Sequence, residues 1–170
     1  MDSPIPEILI REGTLTDIGY VADIHCQIYT VEYQFLPMFH SLVFNSLSQY
    51  IKDEMPGKIW IIEVNGKRAG TISLVKSSQN DYHQIRWFAV DTRFRGLGLG
   101  NKLLQHLMQY ANSKNIDKLF LWTVKILEGA RTLYKRFGFT LQETKINNTW
   151  TKEEILEEKW IYTGSNNSIS

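Results

Sequence analysis

Apolar residues recur along the chain with two periods, and the switches between them lay out a succession of strands and helices. After a proline-broken start, Glu7-Ile8-Leu9-Ile10-Arg11 reads as a short strand ended by Gly13. Helical spacing follows: Ile18, Val21, Ala22, His25, Ile28 and Tyr29 share one face, behind Thr14-x-x-Asp17, which resembles a capping box with Asp in place of Glu. A second helix starts at Pro37, where the missing N–H is no loss. Its core stripe of Leu36, Phe39, Val43, Leu47 and Tyr50 or Ile51 runs until Pro56-Gly57 stops it.

Residues 58–64 and 67–75, joined by Asn65-Gly66, form the clearest hairpin pattern, since Asn-Gly supplies the positive φ values of a tight turn. A polar loop (76–81) leads to a long strand, 82–90, which completes an antiparallel meander. Beyond a glycine-rich bend, Leu103, Leu104, Leu107, Met108 and Ala111 line one side of a helix, with Lys102, Gln105 and Gln109 opposite. Residues 119–124 then read as a buried strand, parallel to 82–90 if that helix is a crossover. A helix over 128–137 places Ala130, Leu133, Tyr134 and Phe137 on one face and stops at Gly138. Residues 140–145 and 159–162 close the sheet around a loop holding Trp150. Residues 1–163 are expected to form one domain, and the polar stretch 164–170 a disordered tail.

The bend carries the chemistry. In Val90-Asp91-Thr92-Arg93-Phe94-Arg95-Gly96-Leu97-Gly98-Leu99-Gly100-Asn101-Lys102, a strand passes through three glycines at alternate positions into a helix. Glycine lets a ligand approach the backbone closely, and the unpaired amides of a helix start favour an anion such as a pyrophosphate. The dinucleotide pattern G-x-G-x-x-G fails in both registers, meeting Asn101 or Leu103 where a small residue is needed. The triphosphate pattern G-x-x-x-x-G-K-[ST] fails at Asn101 and Leu103, although Lys102 sits at the right offset.

What fits is Arg95-Gly96-Leu97-Gly98-Leu99-Gly100, which resembles the pyrophosphate motif of the GNAT N-acetyltransferases. The resemblance spans roughly Ile8 to Tyr162 and is tightest from Ile85 to Phe139. There Arg86-Trp87-Phe88-Ala89-Val90, Leu121-Trp122-Thr123 and Ala130-x-x-Leu133-Tyr134-x-x-x-Gly138-Phe139 look like the acetyltransferase half of MarR–GNAT fusion proteins. It implies an α/β (α+β) fold: a mixed, mostly antiparallel sheet of six or seven strands flanked by about four helices, splayed between the fourth and fifth strands.

The resemblance also implies acetyl-coenzyme A as co-substrate and no metal. Its implied binding residues are the strand end Phe88, Ala89 and Val90, the loop Arg95, Gly96, Leu97, Gly98, Leu99, Gly100, Asn101 and Lys102, and Leu127, Ala130, Leu133 and Tyr134 beyond it. Tyr134 is the implied general acid, since a phenol of pKa about 10 is protonated at neutral pH and can donate to a thiolate. Leu127 stands where the family often has Asn, which weakens a side-chain hydrogen bond to the cofactor there. Tyr29, Tyr33, Trp87 and Trp122 are expected to line the acceptor side and suit an amine through apolar and cation–π contact, whereas Trp60 and Trp160 read as core. Glu32, Glu63, Asp81, His83 and His25 are all candidate general bases, and spacing does not choose among them.

Composition narrows the partners. With 43% hydrophobic and 22% charged residues and a net charge of +1, nothing attracts nucleic acid or an anionic membrane in general. A single cysteine, Cys26, excludes an internal disulfide and reads as a packed thiol rather than a nucleophile. Without a leader or a bilayer-length apolar run, a cytoplasmic protein is expected, and a homodimer is one open state of assembly. The expected reaction is acetyl transfer to a primary amine of a small molecule, amino acid or peptide by direct attack in a ternary complex. A non-catalytic acetyl-coenzyme A sensor is one rival, and a protein- or nucleic-acid-binding module that has lost the cofactor is another.

Overall fold

The computed structural model describes residues 5–164. Seven strands form one sheet: β1 (Ile8–Glu12), β2 (Gly57–Val64), β3 (Lys67–Lys76), β4 (His83–Val90), β5 (Lys118–Val124), β6 (Thr140–Asn147) and β7 (Ile155–Thr163), in the spatial order β1-β2-β3-β4-β5-β7-β6. Helices α1 (Ile18–Gln27) and α2 (Pro37–Ile51) cover one face, and α3 (Leu99–Ser113) and α4 (Glu128–Arg136) the other.

The nearly continuous apolar run of β2 follows from this two-sided cover. Ile59 and Ile61 pack with Val21, Val43 and Leu47 of α1 and α2, while Trp60 and Ile62 pack with Leu103, Leu104 and Leu107 of α3. Trp60 and Trp160 are buried core residues, as expected.

All neighbouring strands run antiparallel except β4 and β5, which are parallel and joined by α3 as a crossover. Only His83 with Leu119 and Gln84 with Phe120 are paired before these two strands part. This opening is the splay expected between the fourth and fifth strands.

A second irregularity lies on the other edge of β4. Thr71 pairs with Ala89 and Ser73 with Arg86, so Trp87 and Phe88 together oppose the single residue Ile72. Trp87 adopts φ +45°, a left-handed conformation uncommon for a bulky residue, and the Ser73 hydroxyl donates to the Arg86 carbonyl at 2.6 Å. The extra residue resets the alternation of β4. Arg86, against Met55, and Trp87 both lie toward α1 and α2, whereas Phe88 and Val90 pack toward α3 and α4.

Four boundaries differ from expectation. After Gln27 the first helix widens into a π-helical turn, Ile28–Glu32, a distortion that re-aims side chains and is frequent at functional sites. β6 runs on to Asn147, and β7 begins at Ile155 rather than at Lys159. Of the expected disordered tail, Gly164 is tied to the sheet by its amide, which donates to the Asp117 carbonyl at 2.7 Å, and residues 165–170 lie outside the described part.

Candidate active site

The parting of β4 from β5 opens a cavity of about 710 Å³ that passes through the sheet. Phe88, Ala89 and Val90 form one wall, and Leu121, Trp122, Thr123 and Val124 the other. On the α3 and α4 side it is bordered by Gly100, Leu127, Ala130, Leu133 and Tyr134. Toward α1 and α2 it meets His25, Tyr29, Phe35, Phe39 and Trp87.

Beside it, the glycine bend has the geometry of an anion cradle. Gly96 (φ +82°) and Gly98 (φ +68°) occupy left-handed backbone, and Gly98 is the residue that starts α3. A Cβ at either would meet nothing within 4 Å, so the bend is open to an approaching group. The first amide engaged in the helix is that of Lys102, which donates to the Gly98 carbonyl at 3.1 Å. The six amides from Gly96 to Asn101 have no acceptor among the described residues. Such a row of free N–H groups at a helix N-terminus fits a diphosphate.

The loop side chains divide. Leu99 is buried in the core and offers only its backbone, whereas Leu97 and Lys102 are exposed. The Arg95 guanidinium is held by Glu32 of the π-helical turn. None of Arg95, Gly96, Leu97, Gly98, Leu99, Asn101 and Lys102 borders the cavity itself. Of the loop, only Gly100 lines it. A Cβ on Gly100 would lie 3.7 Å from Leu133 and 3.8 Å from Phe88, in ordinary contact.

Tyr134 is buried, and its hydroxyl pKa is pushed up, first by burial and then by the neighbouring Tyr29. Tyr29 lies opposite, its own phenol raised to about 12 by burial. Both phenols are therefore neutral donors at physiological pH. Tyr29, Trp87 and Trp122 border the cavity, whereas Tyr33 does not. It packs on the outer side of Tyr29, 6.1 Å between ring centres.

Among the five candidate bases, the structure brings only His25 to the cavity. Its Nδ1 lies 2.7 Å from the Val21 carbonyl, one helical turn back, which makes Nδ1 the protonated nitrogen and leaves Nε2 as an acceptor. Burial lowers its pKa to about 4, so the ring is neutral. Glu32 is bound to Arg95, and Glu63 to Arg11 at 2.7 Å. Asp81 is exposed in the β3–β4 loop, and His83 sits where β4 and β5 are still paired. Burial raises the Cys26 thiol pKa, as a packed thiol requires, and Cys26 does not border the cavity.

Several cavity residues lie outside those named for the site, although the aromatic stretch 28–35 reads from sequence as either helix-end packing or a pocket wall. Phe35, Phe39 and Trp150 join Tyr29 in one aromatic wall, with ring centres 4.5 to 6.2 Å apart. The Leu36 amide donates to the Trp150 carbonyl and ties the β6–β7 loop to the start of α2. Glu157 of β7 enters the cavity although it is 5% exposed, its carboxylate accepting from Asn147 at 2.9 Å with Lys145 at 3.6 Å. Its neighbour Glu158 faces the other way, onto Arg131 and Trp160. Arg86, Asn45 and Gln49 also border the cavity.

Comparison with known proteins bears on the fold and the family. Residues 20–139 match the acetyltransferase (GNAT) family. A probable N-acetyltransferase camello of Xenopus tropicalis is 30% identical over 88 residues, which are 51% of this chain and 40% of that protein. N-acetylaspartate synthetase of Rattus norvegicus is 24% identical over 93 residues, 55% of this chain and 31% of that protein. The chain spans less than half the length of these relatives. Among solved structures, a GNAT-family acetyltransferase from Staphylococcus aureus superimposes with a TM-score of 0.73 at 20% identity, over 92% of this chain and 99% of that one. A putative acetyltransferase from Salmonella typhimurium, determined with its cofactor acetyl-CoA, gives 0.73 at 16% identity, over 96% and 98%. With the family match covering well over half of its residues, this chain belongs to the acetyltransferase (GNAT) family.

Proposed function

We propose that the protein transfers the acetyl group of acetyl-coenzyme A to a primary amine of a small molecule, amino acid or peptide, by direct attack with both substrates bound. The observation that carries this reading is the splay of β4 from β5: it leaves one edge of Phe88–Ala89–Val90 without a strand partner, beside a bend whose six amides are unpaired. Acetyl-coenzyme A supplies the activated acyl group; the protein supplies the geometry around it.

The amides from Gly96 to Asn101, backed by the N-terminal dipole of α3, hold the diphosphate. The bare edge of β4 takes the pantetheine arm in strand fashion, and an N–H there polarises the acyl oxygen. The amine approaches from the α1 and α2 side, where the His25 Nε2 accepts a hydrogen bond from its N–H. A base of pKa about 4 does not strip a proton from a free ammonium ion. His25 therefore orients the neutral amine and takes up charge only as the C–N bond forms.

On the opposite side, the Tyr134 hydroxyl donates to the departing sulfur. Its upward pKa shift makes it a firm hydrogen-bond donor rather than a strong acid. As the C–N bond forms and the C–S bond breaks, one proton leaves nitrogen and one arrives on sulfur, giving an amide and a free thiol.

The test is a thiol-release screen of primary amines with acetyl-coenzyme A, paired with a thermal-shift titration of acetyl-coenzyme A alone. Release of thiol that depends on the amine, with an equivalent of acetylated amine, is expected. Stabilisation by the donor without release from any amine would leave a binding protein in place of an enzyme.

A further inference from the structure

The acceptor side of the cavity carries one unpaired cation. Arg11, Arg68, Arg93, Arg95 and Arg131 each hold a carboxylate at 2.6 to 3.3 Å, and Arg136 is exposed. Arg86 is largely buried in the cavity wall, and no carboxylate lies within ion-pair distance among the described residues. Its partners are the Met55 sulfur at 3.7 Å and the face of Trp87 at 5.5 Å. A guanidinium removed from water without a counter-ion is costly, and it stays charged because arginine does not give up its proton in proteins. The bulge in β4 is what turns it to this side, along with Trp87.

Among the described residues, the cavity is lined by one other charged side chain, Glu157 of β7, across the splay. A cation and a carboxylate on opposite strands, with an aromatic wall beside them, form the complement of a small zwitterion. Asn45 and Gln49 of α2 add neutral hydrogen-bonding groups to the same cavity.

We infer that the acceptor is a free amino acid, an amine that carries its own carboxylate, and that Arg86 is the residue that binds this carboxylate. The inference rests on the transfer reading above and narrows its substrate class. Glu157 draws the amino end across the splay, and Arg86 fixes the other. Arg86 lies two residues before Phe88, within roughly 7 Å along the strand, so the anchored carboxylate is a short step from the edge that presents the acyl group. A planar fork that pairs with both carboxylate oxygens also sets the orientation of the amine.

The experiment compares each amino acid with its own amide, a pair equal in size and amine but differing in the carboxylate, in the thiol-release assay. For the pairs that react, the wild type is expected to favour the amino acid by roughly 10- to 100-fold in kcat/KM. In Arg86→Met that ratio collapses to within about threefold of unity, mostly through KM, while Arg86→Lys keeps part of it. Equal use of both members by the wild type, or a preference that survives in Arg86→Met, overturns the inference.

Folding is controlled by thermal unfolding, where Arg86→Met is expected to melt at or above the wild-type temperature because it removes an unpaired buried charge. If no amine reacts although acetyl-coenzyme A stabilises the protein, the transfer reading has failed. Arg86 is then judged by binding alone: stabilisation of the donor-loaded wild type by the pooled amino acids, lost in Arg86→Met, supports the site, and an equal response of the two proteins sinks it.

Discussion

One guanidinium nitrogen of Arg95 donates to both carboxylate oxygens of Glu32, at 2.7 and 2.9 Å. The pair joins the glycine bend to the π-helical turn. On the transfer reading proposed above, an incoming diphosphate competes with Glu32 for this cation. Because both side chains are partly exposed, the bond is worth no more than about 1 kcal/mol, and the competition is correspondingly mild. Glu32→Gln is expected to tighten acetyl-coenzyme A up to about fivefold in a calorimetric titration, with the gain shrinking as salt is added.

Alanine at Gly98 and at Gly100 is expected to weaken donor binding in both cases but to lower stability only at Gly98. At Gly98 the left-handed backbone costs an alanine about 1–2 kcal/mol, and the start of α3 shifts, so both melting temperature and donor affinity fall. Gly100 lies in the first turn of α3, where alanine is the better helix former by about 1 kcal/mol, yet its methyl would enter the cavity beside Phe88 and Leu133. Gly100→Ala should therefore melt no lower than the wild type and bind the donor more weakly.

Tyr134→Phe is expected to reduce kcat by roughly 100-fold and leave the dissociation constant of acetyl-coenzyme A within a few-fold. Among the described residues the hydroxyl has no hydrogen-bond partner, so thermal stability is expected to change little. An unchanged chemical rate in single-turnover measurements would remove the tyrosine from this role.

His25 sets a pH window for stability. The unfolded chain protonates this ring near pH 6.5, and the folded chain only near pH 4. Between those values unfolding takes up a proton, so stability present above pH 6.5 is lost as the pH falls to 4 and levels off below it. The full loss is on the order of 3 kcal/mol for a buried ring. Denaturant unfolding of the wild type and His25→Gln across pH 4–7 reads it as a difference that narrows toward acid; parallel curves would show that the ring titrates normally.

Much of this architecture was written in local patterns. The Asn65-Gly66 turn, the two-sided apolar run of β2 and the glycine bend each declare themselves within about ten residues, and they place the splay and the cradle. The acceptor side was harder to read because it is assembled from distant segments. Glu157 and Glu158 made the first part of β7 look like a loop, since carboxylates are scarce in strands; their partners, Lys145, Asn147 and Arg131, come from other elements. Arg86 looked like part of an alternating strand, and only the bulge opposite Ile72 gives it the same side as Trp87. Phe35, Phe39 and Trp150 were visible as aromatics, but their meeting depends on a contact between segments more than a hundred residues apart.

The bond from the Leu36 amide to the Trp150 carbonyl makes a single roof of two pieces of chain that are remote in sequence. Each piece is held in place by the other, so neither can be exchanged alone without leaving a polar backbone group stranded over an apolar enclosure. Re-engineering for a different nucleophile would therefore have to transplant the two pieces as a matched cassette.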